Sequence, residues 1–193
     1  MSSCGVIYVV GPSGVGKDSL LNWLYQHVQH MAPRPALHFA QRTITRSHEN
    51  SNEQHEAVGF DEFAQLHAAG AFALQWDAHG LRYGVRHAQL VQARGWAIVN
   101  GSRAYAAQAR TLLPGLAVLH VSAPHAALRA RLTSRAREDE GQLQARMVRA
   151  SALRLAPLEG DMHLVNAGSL DGSAREMCAL IQQRTGLQLL PQV

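Results

Sequence analysis

The stretch Gly5–Lys17, GVIYVVGPSGVGK, constrains this chain more than any other. Its first six residues are apolar and largely β-branched, as in a strand buried on both faces, and such strands belong to parallel sheets covered by helices. Gly11-Pro12-Ser13-Gly14-Val15-Gly16-Lys17 then fits G-x-x-x-x-G-K, and Leu20, Leu21, Leu24 and Val28 share one face of a helix expected from Lys17 to Met31. Glycines at such a turn let the main-chain N–H groups converge on a phosphate chain, and the helix N-terminus adds positive potential. Gly11 to Lys17, with Asp18 and Ser19, are therefore the candidate nucleotide-binding residues. Lys17 is also a candidate catalytic residue, because its ammonium can follow charge between the β- and γ-phosphates of ATP.

The same unit recurs. Trp96–Asn100 (WAIVN), Leu116–Val121 (LAVLHV) and Met162–Asn166 (MHLVN) read as further buried strands. Helical patterns cover Ser102–Leu113, Pro124–Arg135, Gln142–Ala156 and Gly172–Thr185, the last closed by Gly186. Strands alternating with such helices predict an α/β fold with a doubly wound parallel sheet. With 193 residues and 47% hydrophobic content the chain can bury one sizeable core. The stretch 37–94 is more polar, with weak strands and two short helices, and reads as an inserted lobe.

Several function classes are set aside. No apolar run approaches the ~18 residues of a membrane span, and MSSCGVIYVVG lacks a charged start and a cleavage site, so a cytoplasmic protein with no membrane partner is expected. Cys4 and Cys178 are too few and too far apart for a disulfide framework or a zinc site, and the eleven histidines show no metal-binding spacing. The net charge of +4 comes without aromatic platforms, which argues against nucleic acid as a partner. Lys17 is the only lysine among eighteen basic residues. A compact ammonium on a flexible stem is thus kept at the one place where a planar guanidinium cannot replace it.

Asp18 stands where a hydroxyl that ligates Mg²⁺ is usual. Either its carboxylate takes the metal, directly or through water, or it turns aside and Ser19, about 100° further round the helix, substitutes. The carboxylate is the stronger ligand and is the expected one.

The phosphate loop, RTITR (Arg42–Arg46), RYG (Arg82–Gly84), RLTSR (Arg131–Arg135), ARM (Ala145–Met147) and LVN (Leu164–Asn166) occur in the order and spacing of guanylate kinases, and the resemblance runs from Val6 to about Ile181. It implies a single P-loop kinase domain with a core (1–36, 95–128, 151–193), an acceptor-binding lobe (37–94) and an arginine-rich lid (129–150). By residue match, Arg131, Arg135 and Arg146 are the catalytic lid candidates, since guanidinium groups closing over a transferring phosphoryl group stabilise its spread charge. Arg129, Arg137, Arg149 and Arg154 have no counterpart and are expected to be solvated or paired with Glu138, Asp139 and Glu140. Arg46 and Tyr83 become acceptor-binding candidates, Tyr83 with packing as its alternative role. His55 aligns with a phosphate-binding tyrosine and either binds phosphate or fills that tyrosine's space. Asn166 either lies near the adenine or forms a turn before Gly168.

The departures from that family redefine the acceptor. A base-reading serine is replaced by Arg42, a glutamate by Leu74 with Gln75 beside it, and an acidic pair by Asn100 and Ser102, followed by Arg103. A second family arginine is replaced by Glu49. The edge of a guanine presents N–H donors, and leaving each unpaired costs about 1–3 kcal/mol, so GMP is expected to be a poor substrate. Arg42 and Arg103 suit an acceptor with a second phosphate in place of a base. GPSGVGKDSL, RTITR, YGV and VNGSRA together resemble the ribose 1,5-bisphosphate phosphokinases. That resemblance implies ATP-dependent phosphorylation of a phosphorylated ribose to 5-phospho-α-D-ribose 1-diphosphate, within phosphonate use. The alternatives are a guanylate or other small-metabolite kinase, or a binding module that has lost catalysis; the intact glycines, Lys17 and lid arginines argue against the last. The partners expected are ATP with Mg²⁺ and a small phosphorylated sugar, and the pattern leaves room for a homodimer.

Overall fold

The computed structural model describes residues 5–46, 55–91, 95–134 and 158–191, with the main chain alone for 130–134. Arg135, Arg146, Glu49, the predicted helix Gln142–Ala156 and most of the expected lid lie outside the described residues.

Five strands form the larger sheet: β1 (Gly5–Val10), β2 (Leu37–Phe39), β7 (Trp96–Asn100), β8 (Ala117–Ser122) and β9 (Met162–Val165). Their order is β2-β7-β1-β8-β9, every pair is parallel, and β1 is central. Alternation along each strand sends side chains to two cores. Ile7, Val9, Trp96, Ile98, Ala117, Leu119 and Val121 meet Leu20, Leu24 and Val28 of α1 (Lys17–Gln29) on one face. Ala174, Met177, Cys178 and Ile181 of the last helix, Leu170–Thr185, complete that face. Burying each such leucine or isoleucine is worth about 2 kcal/mol, so this layer fixes the attitude of α1 and of the loop that starts it. The Ser169 Oγ accepts the Gly172 N–H at the start of the last helix, and Gly186, at φ 74°, ends it where the glycine signal predicts.

On the opposite face Tyr8, Val10, Val99 and Val118 pack against Tyr105 and, from α4 (Ala106–Leu112), Ala106 and Ala109. The same cluster takes in Ile44, Leu74, Trp76, Tyr83 and Val85 from a second, four-stranded sheet. This sheet comprises β3 (Arg42–Ile44), β4 (Glu56–Ala57), β5 (Phe72–Ala78) and β6 (Leu81–Arg86), in the order β4-β3-β6-β5. α2 (Phe60–Ala68) lies on its other side, with Phe63 stacked on Phe72 at 4.6 Å. The β5–β6 hairpin turns on His79 and Gly80, both at positive φ (55° and 72°), the backbone that a tight two-residue hairpin requires. α3 (His87–Val91) follows β6, and α5 (His125–Ser134) follows β8.

Two expectations shift. Leu37–Phe39, assigned above to the inserted lobe, pairs with Trp96–Ile98 as the edge of the larger sheet, so the departure from that sheet comes after Phe39. The helix expected from Ser102 starts at Ala106, because the Ser102 N–H is taken by the Tyr8 hydroxyl at 2.9 Å and 102–105 form a turn.

Candidate active site

The phosphate loop is fastened from three sides. Gly11 sits so close to the Val121 carbonyl that a Cβ there would overlap it. Val15 is fully buried in the core beneath the loop, and its carbonyl accepts the Asn166 amide at 2.8 Å. Gly16 adopts φ 95° as the first residue of the helix boundary, and no side chain caps α1 there. A left-handed glycine followed by an uncapped first turn is the arrangement that presents helix N–H groups to an anion. Lys17 arches back over the loop, donating to the Gly11 carbonyl at 3.1 Å.

Asp18, exposed in the first turn of α1, accepts a hydrogen bond from Asn100 Nδ2 at 2.9 Å on Oδ1. Asn100 ends β7 and is 7% exposed. Its main-chain carbonyl accepts from Arg42 Nη1 at 3.1 Å. Arg42 is 9% exposed, and its guanidinium lies 5.2 Å above the Tyr83 ring. Asp18, Asn100, Arg42 and Tyr83 thus form one connected series from the phosphate loop into the second sheet. The acid lost at Asn100 and the carboxylate gained at Asp18 are both legible in the sequence; the hydrogen bond that joins them is not.

Tyr83 is 7% exposed and stacks on Trp76, with centroids 5.5 Å apart and planes 2° from parallel. Leu74, in place of a base-reading glutamate, is wholly buried in the same layer. Leu74, Trp76 and Tyr83 pack in one cluster with Tyr8 and Tyr105. The Tyr8 ring occupies the space that a Cβ on Gly101 would need, and burial pushes the pKa of its phenol up. Burial likewise lowers the pKa of the Arg103 guanidinium from its ordinary value.

His55 is 1% exposed, and its Nε2 is bonded to the Arg46 carbonyl at 3.0 Å, a contact that props the chain after β3. Asn166, 3% exposed, donates its side-chain amide to the phosphate loop, a contact that sequence spacing does not show. Arg131 lies on α5 with only its main chain described. Among the described residues no cluster of three metal-ligating side chains exists, and no helix is long and apolar enough to cross a membrane.

No family model matches the chain. A ribose 1,5-bisphosphate phosphokinase of Thiobacillus denitrificans is 42% identical over 175 residues, 87% of this chain and 90% of that one. Another from Agrobacterium fabrum is 36% identical over 186 residues, 94% and 98% of the two chains. A third, from Janthinobacterium, is 40% identical over 92% of this chain, which spans only 39% of that longer protein. Among solved structures, guanylate kinase from Anaplasma phagocytophilum superposes with a TM-score of 0.66 at 14% identity, covering 95% of this chain and 88% of that one. A gluconokinase from Sinorhizobium meliloti gives a TM-score of 0.52 at 17% identity, covering 94% of each chain. At these identities the two structures speak for the fold alone.

Proposed function

The chain belongs to the ribose 1,5-bisphosphate phosphokinase family and is an ATP-dependent kinase, and from that premise we propose that it phosphorylates ribose 1,5-bisphosphate on its 1-phosphate. An oxygen of that phosphate forms a bond to the γ-phosphorus of ATP while the bond to the β,γ-bridging oxygen breaks. ADP leaves with the electron pair, and the product is 5-phospho-α-D-ribose 1-diphosphate. The attacking phosphate is already ionised, so no side chain has to remove a proton; the work is positioning and charge stabilisation.

The observation that carries the acceptor reading is Arg42, a guanidinium only 9% exposed at a layer where Leu74 is sealed. A site built this way has a cation to offer a phosphate, and Leu74 stands where a carboxylate would meet a guanine edge. Arg103 adds a second guanidinium, and an anion beside it would offset the burial that lowers its pKa. Arg46 and Tyr83 complete the acceptor set in this reading. Lys17 and the main-chain N–H groups of the loop hold the β- and γ-phosphates, and Arg131, Arg135 and Arg146 close over the transferring group.

Mg²⁺ fits the donor set, since it is commonly held by one or two carboxylates plus substrate phosphates and water rather than by an all-protein cage. Asp18 is the residue to hold it, and bound there the ion would neutralise charge on the ATP phosphates. With Asp18 engaged by Asn100, Ser19 remains the exposed hydroxyl one position on.

Incubation with ATP, Mg²⁺ and either ribose 1,5-bisphosphate or GMP, followed by phosphorus NMR, tests the assignment. A new sugar diphosphate with little GDP is expected. GDP without a sugar product would return the chain to a nucleotide acceptor, and neither product from folded protein would favour a binding module.

A further inference from the structure

We infer that Asn100 is a positioning residue that serves the two halves of the transfer through two different groups. Its side-chain amide holds the Asp18 carboxylate, at 2.9 Å, and its main-chain carbonyl holds the Arg42 guanidinium, at 3.1 Å. The inference rests on the reading of Asp18 as the metal-facing carboxylate and of Arg42 as an acceptor ligand.

The geometry is specific. Asp18 is exposed on the first turn of α1, where a short carboxylate has several staggered rotamers in reach. Asn100, 7% exposed at the end of a strand buried along its whole length, cannot follow it and is the fixed partner. β7 pairs with β1 through Val9 opposite Asn100, two residues before Gly11 opens the loop, so the amide is delivered from the same rigid sheet that positions the loop. One carboxylate oxygen is thereby engaged and the orientation of the other is set. An amide does this without adding a second negative charge beside the triphosphate, which a carboxylate at position 100 would do. Partners that orient a metal ligand in this way typically govern metal affinity by about 10- to 100-fold.

Arg42 depends on the same residue through an atom no side-chain substitution removes. Replacing the Asn100 side chain should therefore separate two effects that general damage to the strand would merge. The coupling to measure is the factor by which Mg²⁺ tightens binding of a non-hydrolysable ATP analogue, by calorimetry with and without the metal. For Asn100→Ala this factor should fall about tenfold. Affinity for the analogue without Mg²⁺, and the KM for ribose 1,5-bisphosphate, should each stay within about twofold, a difference worth under 0.5 kcal/mol. Asn100→Leu, similar in volume and without a donor, is measured alongside in case the smaller side chain loosens the strand, and the same split is expected.

Asp18→Ala separates the two layers of the argument. If it abolishes the Mg²⁺ coupling while both Asn100 variants keep it, Asn100 is not the positioning residue although the reading of Asp18 stands. If Asp18→Ala itself keeps the coupling, the reading of Asp18 falls and this inference with it. A parallel loss of metal-free nucleotide affinity and acceptor KM in both Asn100 variants would mark a merely structural residue and overturn the inference.

Discussion

Asn166 donates its side-chain amide to the main-chain carbonyl of Val15 at 2.8 Å, so the residue that follows β9 holds the phosphate loop from 151 positions away. The amide is buried and the accepting carbonyl belongs to a loop residue that is itself wholly buried. Asn166→Ala leaves that carbonyl without this donor at a cost of about 1–3 kcal/mol. Thermal melts should record that loss, and calorimetry should show the ATP analogue binding about tenfold more weakly, because the loop no longer rests in its binding shape. Unchanged nucleotide affinity in a destabilised variant would confine Asn166 to folding.

Gly11 permits no side chain. An added Cβ would overlap the carbonyl oxygen of Val121, and a strand carbonyl has no cheap way to retreat. Gly11→Ala should displace the loop and lower kcat/KM for ATP by about 100-fold, since ångström-scale misplacement of a reacting group costs that much. Gly59, which has nothing within 4 Å of its Cβ position and is not at positive φ, is the control, and Gly59→Ala should be close to neutral.

Arg42 and Leu74 divide acceptor choice between them. Arg42→Ala removes a charge-assisted donor worth about 1.5–3 kcal/mol, so the acceptor KM should rise by roughly 10- to 100-fold with the KM for ATP little changed. Restoring an acid by Leu74→Glu should not create a guanylate kinase. The position is 0% exposed in a layer with Trp76, Tyr83 and Tyr105, and a carboxylate there is buried at a cost of several kcal/mol. The expected readout is a large drop in melting temperature, with no GMP turnover; GDP formation by a folded Leu74→Glu protein would mean that the layer opens.

Asp161 gives the fold an acid-sensitive tie far from the phosphate loop in sequence. Its carboxylate accepts from the Leu158 N–H at 2.9 Å, from His120 Nε2 at 2.9 Å, and from Arg110 Nη2 at 2.6 and 2.7 Å. Burial pushes its pKa up, but these hydrogen bonds and the Arg110 charge outweigh burial and leave it below the usual carboxylate value. A folded pKa below the unfolded one means stability that is fully present above about pH 4 and is lost as pH falls through the folded value. Asp161→Asn should cost about 3 kcal/mol near neutrality, because it leaves the 18%-exposed Arg110 without its carboxylate. Melts against pH should show the gap between wild type and variant constant down to about pH 4 and narrowing below it. A gap that widens in acid would contradict the assigned direction.

Local signals made much of this molecule legible. Strand alternation and the glycine turn are dictated by main-chain geometry within a few residues, so β1, α1, β7 and the loop between Gly11 and Lys17 could be read directly. The hairpin at His79–Gly80 and the edge strand Leu37–Phe39 were weaker signals, because short strands acquire their assignment from the partner they pair with. The loss of base-reading acids was also legible as residue identity, as was the gain of Arg42.

What those residues touch was decided by folding. Asp18 and Asn100 are 82 residues apart in the chain, and their hydrogen bond exists because β7 lies beside β1 in the parallel sheet. His55 matched a phosphate-binding position, yet packing took it into the interior and gave its Nε2 to a main-chain carbonyl. Asn166 matched a site position and became a fastening for the loop. Spacing along the chain determined where the glycine loop, the strands and the cations would stand. Which polar groups met across the sheet depended on burial, because a buried donor must find whichever acceptor the neighbouring strand brings, and that neighbour is chosen by the whole core.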